Sequence, residues 1–244
     1  MAGKAALITG GSSGIGLAVA RALGEDGYGI TVAARRPDKL ENAAAELRDA
    51  GIDVHHVAAN MREEDEIKRV VSEHEGRFGR IDVLMNNAGL GIGGGLEGFE
   101  TKKLDMQLDV NLRAVYLMTR ESLPLMKKAG EDGGALLVNT ASIAAKRPQA
   151  FLAVYSATKA GVVALTEAFQ SELNQSGIRC TAICPAFVDT PMTDWAKENV
   201  SPTEMIRPED IAEVVRCLLR LSPQCIIPEV MMVRPDDFQM AAGV

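Results

Sequence analysis

The chain has 244 residues, of which 47% are hydrophobic and 24% charged, with a formal net charge of −7. These values are typical of a globular protein long enough to bury its own core, and the acidic charge argues against nucleic acid or an anionic membrane as a partner. The longest stretch without a charged side chain, residues 5–20, contains four glycines, so we expect neither a membrane helix nor a signal peptide.

Short apolar runs alternate with longer segments of helical period along the chain. The predicted strands are 4–9, 29–35, 54–58, 81–86, 134–141, 178–184 and 229–233. The predicted helices are 14–25, 38–50, 63–77, 101–128, 152–176 and 208–221. This alternation predicts an α/β fold, a doubly wound parallel sheet of seven strands with helices on both faces. No Pro/Ser-rich linker divides the chain, so we expect one domain over 1–244.

The predicted helices 101–128 and 152–176 are unusually apolar. Within the second, residues 160–169 show almost no polar stripe, which predicts burial on both faces, one against the sheet and one against another element. We expect the two helices to form a subunit interface. Burial under a loop of the same chain is the alternative.

Four cysteines lie in the second half of the chain, at Cys180, Cys184, Cys217 and Cys225. None forms a C-x-x-C pair, and the three histidines are far away in sequence. We therefore predict no metal site and interpret the cysteines as buried small apolar residues. A reducing cytoplasm is the compartment that fits them best.

The segment TGGSSGIG at 9–16 directly follows the first apolar strand. In a strand–turn–helix unit, Gly10 permits the tight turn, Gly14 lets the backbone approach a diphosphate, and Gly16 lets the helix pack close to the sheet. The free N–H groups at the helix start attract an anion. This position between the first strand and the first helix predicts a dinucleotide site.

The tip of the second strand selects between the two nicotinamide nucleotides. An acid there accepts a hydrogen bond from a free ribose 2′-hydroxyl, whereas arginine suits a 2′-phosphate. This strand ends in Arg35 and Arg36, and Asp38 follows only after Pro37. We therefore predict NADP(H) rather than NAD(H). The alternative is that the arginines belong to a solvated loop.

The segment YSATK places Tyr155 and Lys159 four residues apart, on one face of a helix. A neighbouring ammonium stabilises a phenolate, so we expect Lys159 to lower the pKa of Tyr155 and make it a general acid and base. Such a pair alone also occurs by chance on helix surfaces.

Two further polar residues support this chemistry. Ser142 follows the strand 134–141, at the strand end where open α/β sheets bind ligands, and its hydroxyl can hold a substrate carbonyl. Asn111 interrupts an apolar helical segment. It either binds a water that links Lys159 to solvent or satisfies a stray backbone carbonyl.

Together, these motifs resemble the short-chain dehydrogenase/reductase family, in its branch of about 250 residues with a Rossmann-like fold. The resemblance includes TGGSSGIG at 9–16, NNAG at 86–89, YSATK at 155–159 and CPAFVDTPM at 184–192, and it covers nearly the whole chain. It implies a catalytic tetrad of Asn111, Ser142, Tyr155 and Lys159, and a homotetramer or homodimer built on the two long helices.

The expected nucleotide-binding residues combine the positions argued above with those that the resemblance implies. They are Gly10, Ser12, Ser13, Gly14, Ile15, Gly16, Arg35, Arg36, Asn60, Met61, Asn87, Ala88, Gly89, Tyr155, Lys159, Pro185, Val188 and Thr190.

Three segments depart from the family pattern. Asn60 stands where an Asp commonly faces the adenine, and we expect adjusted rather than lost binding. Pro185-Ala186 replaces Pro-Gly, which stiffens that loop. The C-terminal segment 227–238 lacks the common V-D-G-G pattern, which bears on a subunit contact.

We expect an oxidoreductase that transfers a hydride between NADP(H) and a carbonyl or secondary alcohol, most simply a carbonyl reductase, and the same site would also serve the oxidative direction. The sequence indicates the substrate less specifically than the cofactor. A short lid between Pro185 and Pro208 favours an open pocket for modest ketones or aldehydes, with 3-oxoacyl thioesters and hydroxy acids as variants. Lys146, Arg147 and Lys197 are too few to indicate an acyl chain held by a carrier protein, and scattered surface charge is the simpler interpretation. A non-catalytic NADP(H)-binding sensor or scaffold is the alternative function.

Overall fold

The computed structural model describes residues 3–131 and 134–239. The strands are β1 Ala5–Thr9, β2 Gly29–Ala34, β3 Val54–Ala58, β4 Val83–Asn86, β5 Ala135–Thr140, β6 Ile178–Pro185 and β7 Glu229–Met232. The helices are α1 Gly14–Glu25, α2 Pro37–Asp49, α3 Glu64–Phe78, α4 Thr101–Leu108, α5 Ala114–Glu131, α6 Ala153–Leu173, α7 Pro208–Arg220 and α8 Pro235–Gln239.

The seven strands form one sheet in the order β3-β2-β1-β4-β5-β6-β7, and every pairing is parallel. This confirms the predicted Rossmann-like α/β architecture. The strand order reverses between β1 and β4, because successive strands add to one side up to β3 and then to the other side from β4 onward. Ligands bind at the carboxyl ends of strands next to such a switch point.

The core lies on both faces of the sheet because alternate residues of a strand point to opposite sides. On β1, Ile8 joins the cluster with Leu23 of α1, whereas Leu7 joins the cluster with Met118 and Met126 of α5. All of these side chains are at most 1% exposed. The strands therefore form a rigid platform on which the loops at their carboxyl ends are positioned.

The predicted helix 101–128 is interrupted. Between α4 and α5, residues Asp109–Arg113 form a π-helical turn that contains Asn111. Such turns are frequent at functional sites. A short helix absent from the prediction, α8, follows β7.

The structure corrects the expectation for the cysteines and, within the described residues, removes the alternative in which a loop of the same chain covers the second apolar helix. Cys180 and Cys184 are buried, but Cys217 and Cys225 are exposed, so only half of the cysteines behave as small core residues. On α6, Ala157, Ala160 and Ala164 are exposed, which means that no described loop of the chain covers this face. None of the helices in the described residues has the length and apolarity needed to cross a bilayer.

Candidate active site

The glycine turn after β1 has a backbone that only glycine adopts without strain at two positions. Gly10 has φ of 69° and Gly14 has φ of 53°, both in the left-handed region. Gly16 is constrained by space instead, because a Cβ there would lie 2.5 Å from the carbonyl oxygen of Gly10. The turn therefore brings the start of α1 against the end of β1.

The start of α1 is suited to an anion. Ser13 precedes the helix in an extended conformation, its side chain makes no capping hydrogen bond, and the first turn contains no acidic residue. The first N–H groups of a helix have no intrahelical partners, and the helix dipole adds partial positive charge. These features fit a diphosphate, and the bare glycine backbone leaves room for its approach.

Arg35 and Arg36 lie at the tip of β2, where both guanidinium groups are exposed. Both line the same cleft as the glycine turn. Most arginines of the described chain pair with carboxylates, as Arg48 does with Glu41, but no ion pair of the described residues involves Arg35 or Arg36. The two side chains are therefore available to a phosphate.

The turn is held in place by Asn87, directly after β4. Its side-chain amide donates to the carbonyl oxygens of Thr9 at 3.2 Å and Gly10 at 3.3 Å, and its oxygen accepts from the hydroxyl of Thr140 at 3.2 Å. The hydroxyl of Thr9 in turn accepts from the N–H groups of Asn87 and Ala88, both at 3.0 Å. These bonds fix the ends of β1, β4 and β5 relative to one another.

Tyr155 and Lys159 share one face of α6, with the ammonium 5.8 Å from the centre of the tyrosine ring. The Nζ of Lys159 also donates to the carbonyl oxygen of Thr140 at 2.7 Å, which anchors it at the end of β5. Ser142 follows that strand, and its hydroxyl lies close enough to the phenol of Tyr155 to lower the pKa of that phenol. The three side chains thus meet at the carboxyl end of β5.

The expected pKa of Tyr155 is corrected by the structure. Burial raises the pKa of the phenol, and the hydrogen bond with Ser142 opposes this effect only in part. Burial also lowers the pKa of Lys159 to about 8. Both groups lose hydration in the cleft, which disfavours phenolate and ammonium alike, so the attraction expected from the sequence does not dominate.

Asn111 is fully buried and binds the loop that follows β4. Its Oδ1 accepts from the N–H of Leu90 at 2.8 Å, and its Nδ2 donates to the C=O of Leu90 at 2.8 Å and to the hydroxyl of Thr158 at 3.2 Å. A Cβ on Gly89 would lie 3.4 Å from both Asn111 Oδ1 and Lys159 Nζ. Asn111 thus satisfies backbone groups, one of the two predicted alternatives, while lying next to Lys159.

A cleft of about 510 Å³ runs along these strand ends. It is lined by every predicted nucleotide-binding residue except Gly16, and by Ser142. Gly16 lies beneath the turn and Asn111 behind Gly89, so neither lines the cleft. The prediction missed Ala34, Ala59, Leu90, Gly91, Val110, Thr140, Ala141, Ala186, Pro191, Met192 and Thr193. Most are small or apolar, and the only signal in the sequence that they line the cleft is their position next to the glycine turn and the other motifs.

The segments that depart from the family pattern also border the cleft. Asn60 donates its backbone N–H to Glu66 at 2.6 Å and accepts from the N–H of Arg62 with its side chain at 3.3 Å, so its amide lies in a short turn. Ala186 donates to the carbonyl oxygen of Met232 at 2.8 Å, which ties the loop after β6 to the end of β7.

Gly16→Ala should lower the stability of the protein. The new methyl group would meet the Gly10 carbonyl at 2.5 Å and the Asn87 amide at 2.7 Å, and overpacking of this kind costs about 1–3 kcal/mol. Urea unfolding measures the loss. Gly76→Ala is the matched control, because a Cβ at this exposed position of α3 has nothing within 4 Å and is expected to stabilise the helix by up to about 1 kcal/mol.

Comparison with known proteins agrees with this architecture. The model of the short chain dehydrogenase family matches residues 4–201. A putative ketoacyl reductase of Streptomyces coelicolor is 38% identical over 201 residues, which cover 81% of this chain and 76% of that protein.

Two solved structures share the whole fold. A variant of actinorhodin polyketide ketoreductase with NADPH has a TM-score of 0.85 at 32% identity, covering 94% of this chain and 95% of that one. A 3-ketoacyl-(acyl-carrier-protein) reductase from Brucella melitensis with NADH has a TM-score of 0.84 at 33% identity, covering 94% and 96%. With a family model that matches most of its length, the chain belongs to the short-chain dehydrogenase/reductase family of oxidoreductases.

Proposed function

We propose that this protein is an NADP(H)-dependent carbonyl reductase that acts on a ketone or aldehyde. The observation that carries the proposal is the meeting of Tyr155, Ser142 and Lys159 at the end of β5, in the same cleft as the glycine turn and the two unpaired arginines. A dinucleotide along this cleft would lie with its diphosphate at the start of α1 and its adenosine phosphate near Arg35 and Arg36.

When bound in this cleft, NADPH would supply the hydride for the carbonyl carbon, and the chain supplies the proton and the electrostatic environment. The hydroxyl of Ser142 donates to the carbonyl oxygen and orients it. Tyr155 transfers its phenolic proton to the same oxygen as the alcohol forms. The ammonium of Lys159, held by the Thr140 carbonyl at 2.7 Å, stabilises the phenolate that remains.

The direction of the Tyr155 pKa shift supports reduction. Because burial raises the pKa of this phenol, Tyr155 carries its proton at neutral pH, which is the state that a proton donor needs. A base that removes a proton from an alcohol would need the opposite shift. Tyr155 is therefore suited to be the proton donor for reduction at neutral pH, and the rate of carbonyl reduction measured against pH tests this role.

The double variant Arg35→Ala/Arg36→Ala should lose its preference for NADPH. An arginine pairs with a phosphate through charge-assisted hydrogen bonds, so we expect kcat/KM for NADPH to fall about 10–100-fold while kcat/KM for NADH changes little. Related structures contain NADPH or NADH, so the measurement must use both nucleotides.

The control removes two exposed arginines that pair elsewhere. Arg48 pairs with Glu41 and Arg77 with Asp53, so the variant Arg48→Ala/Arg77→Ala changes net charge equally without touching the cleft. A native protein that uses NADH as well as NADPH would contradict the proposed cofactor preference.

The segment after Thr190 carries apolar side chains at the cleft. Met192 lines the cleft and is exposed. Trp195 follows on the same segment, where its exposed indole packs edge-on against Phe187 with ring centres 5.8 Å apart. We propose apolar ketones and aldehydes, including 3-oxoacyl thioesters, as substrates. Loss of NADPH absorbance with a panel of ketones, aldehydes, sugars and acyl thioesters tests this. NADPH binding without turnover of any member would instead favour a sensor or scaffold.

We also propose a homotetramer or homodimer that uses the exposed face of α6. Ala157, Ala160 and Ala164 form a surface of small side chains, and Tyr116 on the neighbouring α5 is half exposed. Small residues allow two helices to approach closely. Light scattering of the native protein and of Ala160→Arg is the test, and an unchanged mass would contradict this interface.

A further inference from the structure

The loop between β4 and α4 is so rich in glycine that its own sequence does not fix its conformation. Residues 87–100 read NAGLGIGGGLEGFE and include six glycines, each of which gains backbone freedom from the missing side chain. Leu90 and Ile92 alternate with Gly89, Gly91 and Gly93. An extended conformation of this segment therefore needs partners outside it.

Two buried side-chain amides provide those partners. Asn111 binds both the N–H and the C=O of Leu90. Gln107, in the last turn of α4, accepts from the N–H of Ile92 at 3.1 Å and donates to its C=O at 3.3 Å. Gln107 is fully buried, and both ends of its amide are used by a single residue of the loop.

The two amides bind alternate residues of the loop. Each amide bonds to both backbone groups of one loop residue, Gln107 to Ile92 and Asn111 to Leu90. Gln107 and Asn111 are four apart, and Ile92 and Leu90 are two apart. The two side chains therefore hold the loop in register, as a neighbouring strand would.

The segment held in this way forms a wall of the reaction site. A Cβ on Gly91, between the two bound residues, would lie 3.7 Å from ring carbons Cδ2 and Cε2 of Tyr155. On its far side, Gly94 donates to the carbonyl oxygen of Phe151 at 2.8 Å, and Phe151 itself has φ of 62°, a strained conformation for an aromatic residue. The loop is thus held next to the Tyr155 ring by the two side-chain amides on one side and by the Gly94–Phe151 hydrogen bond on the other.

We propose that Gln107 is a positioning residue that sets the substrate-facing wall of this site. It acts through Ile92 and Gly91, and Gly91 lies beside the ring of Tyr155. This inference rests on the proposed carbonyl reduction. It assigns to Gln107 a role in binding the carbonyl substrate, whereas Asn111 and Gly89 adjoin Lys159.

The test compares Gln107→Met with Gln170→Met. Gln170 is a matched control, because its amide accepts from the N–H of Cys180 at 2.7 Å and donates to the C=O of Ile178 at 3.5 Å, at the opposite end of the sheet. Methionine preserves the side-chain length in both variants and removes the same kind of bonds.

In Gln107→Met we expect KM for the carbonyl substrate to rise about tenfold, while the Kd of NADPH stays within about twofold. Gln170→Met should lose stability and keep both constants. Amide hydrogen exchange should accelerate over residues 90–95 in Gln107→Met alone, a readout that does not depend on activity. Equal KM values in the two variants would overturn the proposal. It would also be overturned if Gln107→Met weakened NADPH binding by the same factor by which it raised KM.

A second variant removes the same hydrogen bond by changing its partner in the loop. Ile92→Pro removes the N–H that Gln107 accepts and leaves the buried helix untouched, so it must reproduce the increase in KM even where Gln107→Met fails to fold. An unchanged KM in Ile92→Pro counts against the role of Gln107. A native protein that oxidises NADPH with no member of the carbonyl panel refutes the proposed function itself, whereas native turnover with unaffected variants refutes this inference alone.

Discussion

Tyr155→Phe should abolish turnover while leaving NADPH binding nearly intact. General acid catalysis contributes about 10²–10⁴-fold to a rate, so we expect kcat for carbonyl reduction to fall about 10³-fold or more. The ring of phenylalanine fills the same space beside Gly91, where a Cβ would lie 3.7 Å from the tyrosine ring. Only the hydroxyl and its interaction with Ser142 are lost.

The measurement is loss of NADPH absorbance with the best carbonyl substrate, paired with a fluorescence titration of NADPH. Tyr116→Phe is the control, because Tyr116 is half exposed on α5, where its ring packs against Phe169. Turnover within tenfold of the native value in Tyr155→Phe would remove this phenol from the mechanism. Loss of NADPH affinity by a comparable factor would show that the residue acts in binding instead.

The parts of the site that could be predicted are those fixed by short-range geometry. The turn at Gly10 and Gly14 could be predicted from the sequence because few residues other than glycine adopt their left-handed backbone conformation. Tyr155 and Lys159 fall on one face of a helix by spacing alone. The parallel sheet of seven strands follows from the alternation of strands and helices, since each parallel connection needs a crossover, but the order of the strands comes only from the structure.

The parts that could not be predicted depend on how deeply a group is buried once the chain has folded. The sequence shows that Lys159 accompanies Tyr155, but not that both lose their water, which reverses the expected direction of the Tyr155 pKa. The hydrogen bonds of Gln107 with Ile92 join residues whose contact is set by the path of a glycine-rich loop. No periodic pattern marks that path in the sequence.

Lys159→Met should lose activity and yet be more stable than the native protein at neutral pH. Burial lowers the pKa of Lys159 from 10.5 to about 8, so folding must desolvate an ammonium that the unfolded chain keeps in water. A difference of this size corresponds to about 3 kcal/mol of stability at pH values below 8. Methionine removes that cost but leaves the Thr140 carbonyl without its donor at 2.7 Å, which offsets about 1–2 kcal/mol.

The stability difference should depend on pH in a defined window. Between pH 8 and 10.5, Lys159 of the unsubstituted protein is protonated in the unfolded chain and neutral in the folded chain. The free energy of unfolding of the unsubstituted protein therefore rises with pH in this range. The advantage of Lys159→Met is therefore largest below pH 8 and shrinks as the pH rises, and above pH 10.5 the variant should be the less stable protein because the Thr140 carbonyl still lacks its donor. Urea unfolding at pH 7 and pH 10 measures it. Lys68→Met, at an exposed lysine paired with Glu64, is the control for removal of a lysine charge.

The activity of Lys159→Met separates a catalytic ammonium from a merely structural one. If Lys159 had only a structural role, its replacement would lower both the stability and the activity of the protein. If Lys159 is retained for its charge, its replacement raises the stability and lowers the reaction rate. We expect kcat/KM to fall about 10²–10³-fold, and reduction by the native protein to decline as pH rises through about 8 and Lys159 loses its proton. Because Tyr155 has its pKa raised by burial, it keeps its proton over this range, so the decline reports the ammonium. A native rate that stays constant from pH 7 to pH 9.5, together with a variant that remains active, would leave the phenolate without its proposed counter-charge.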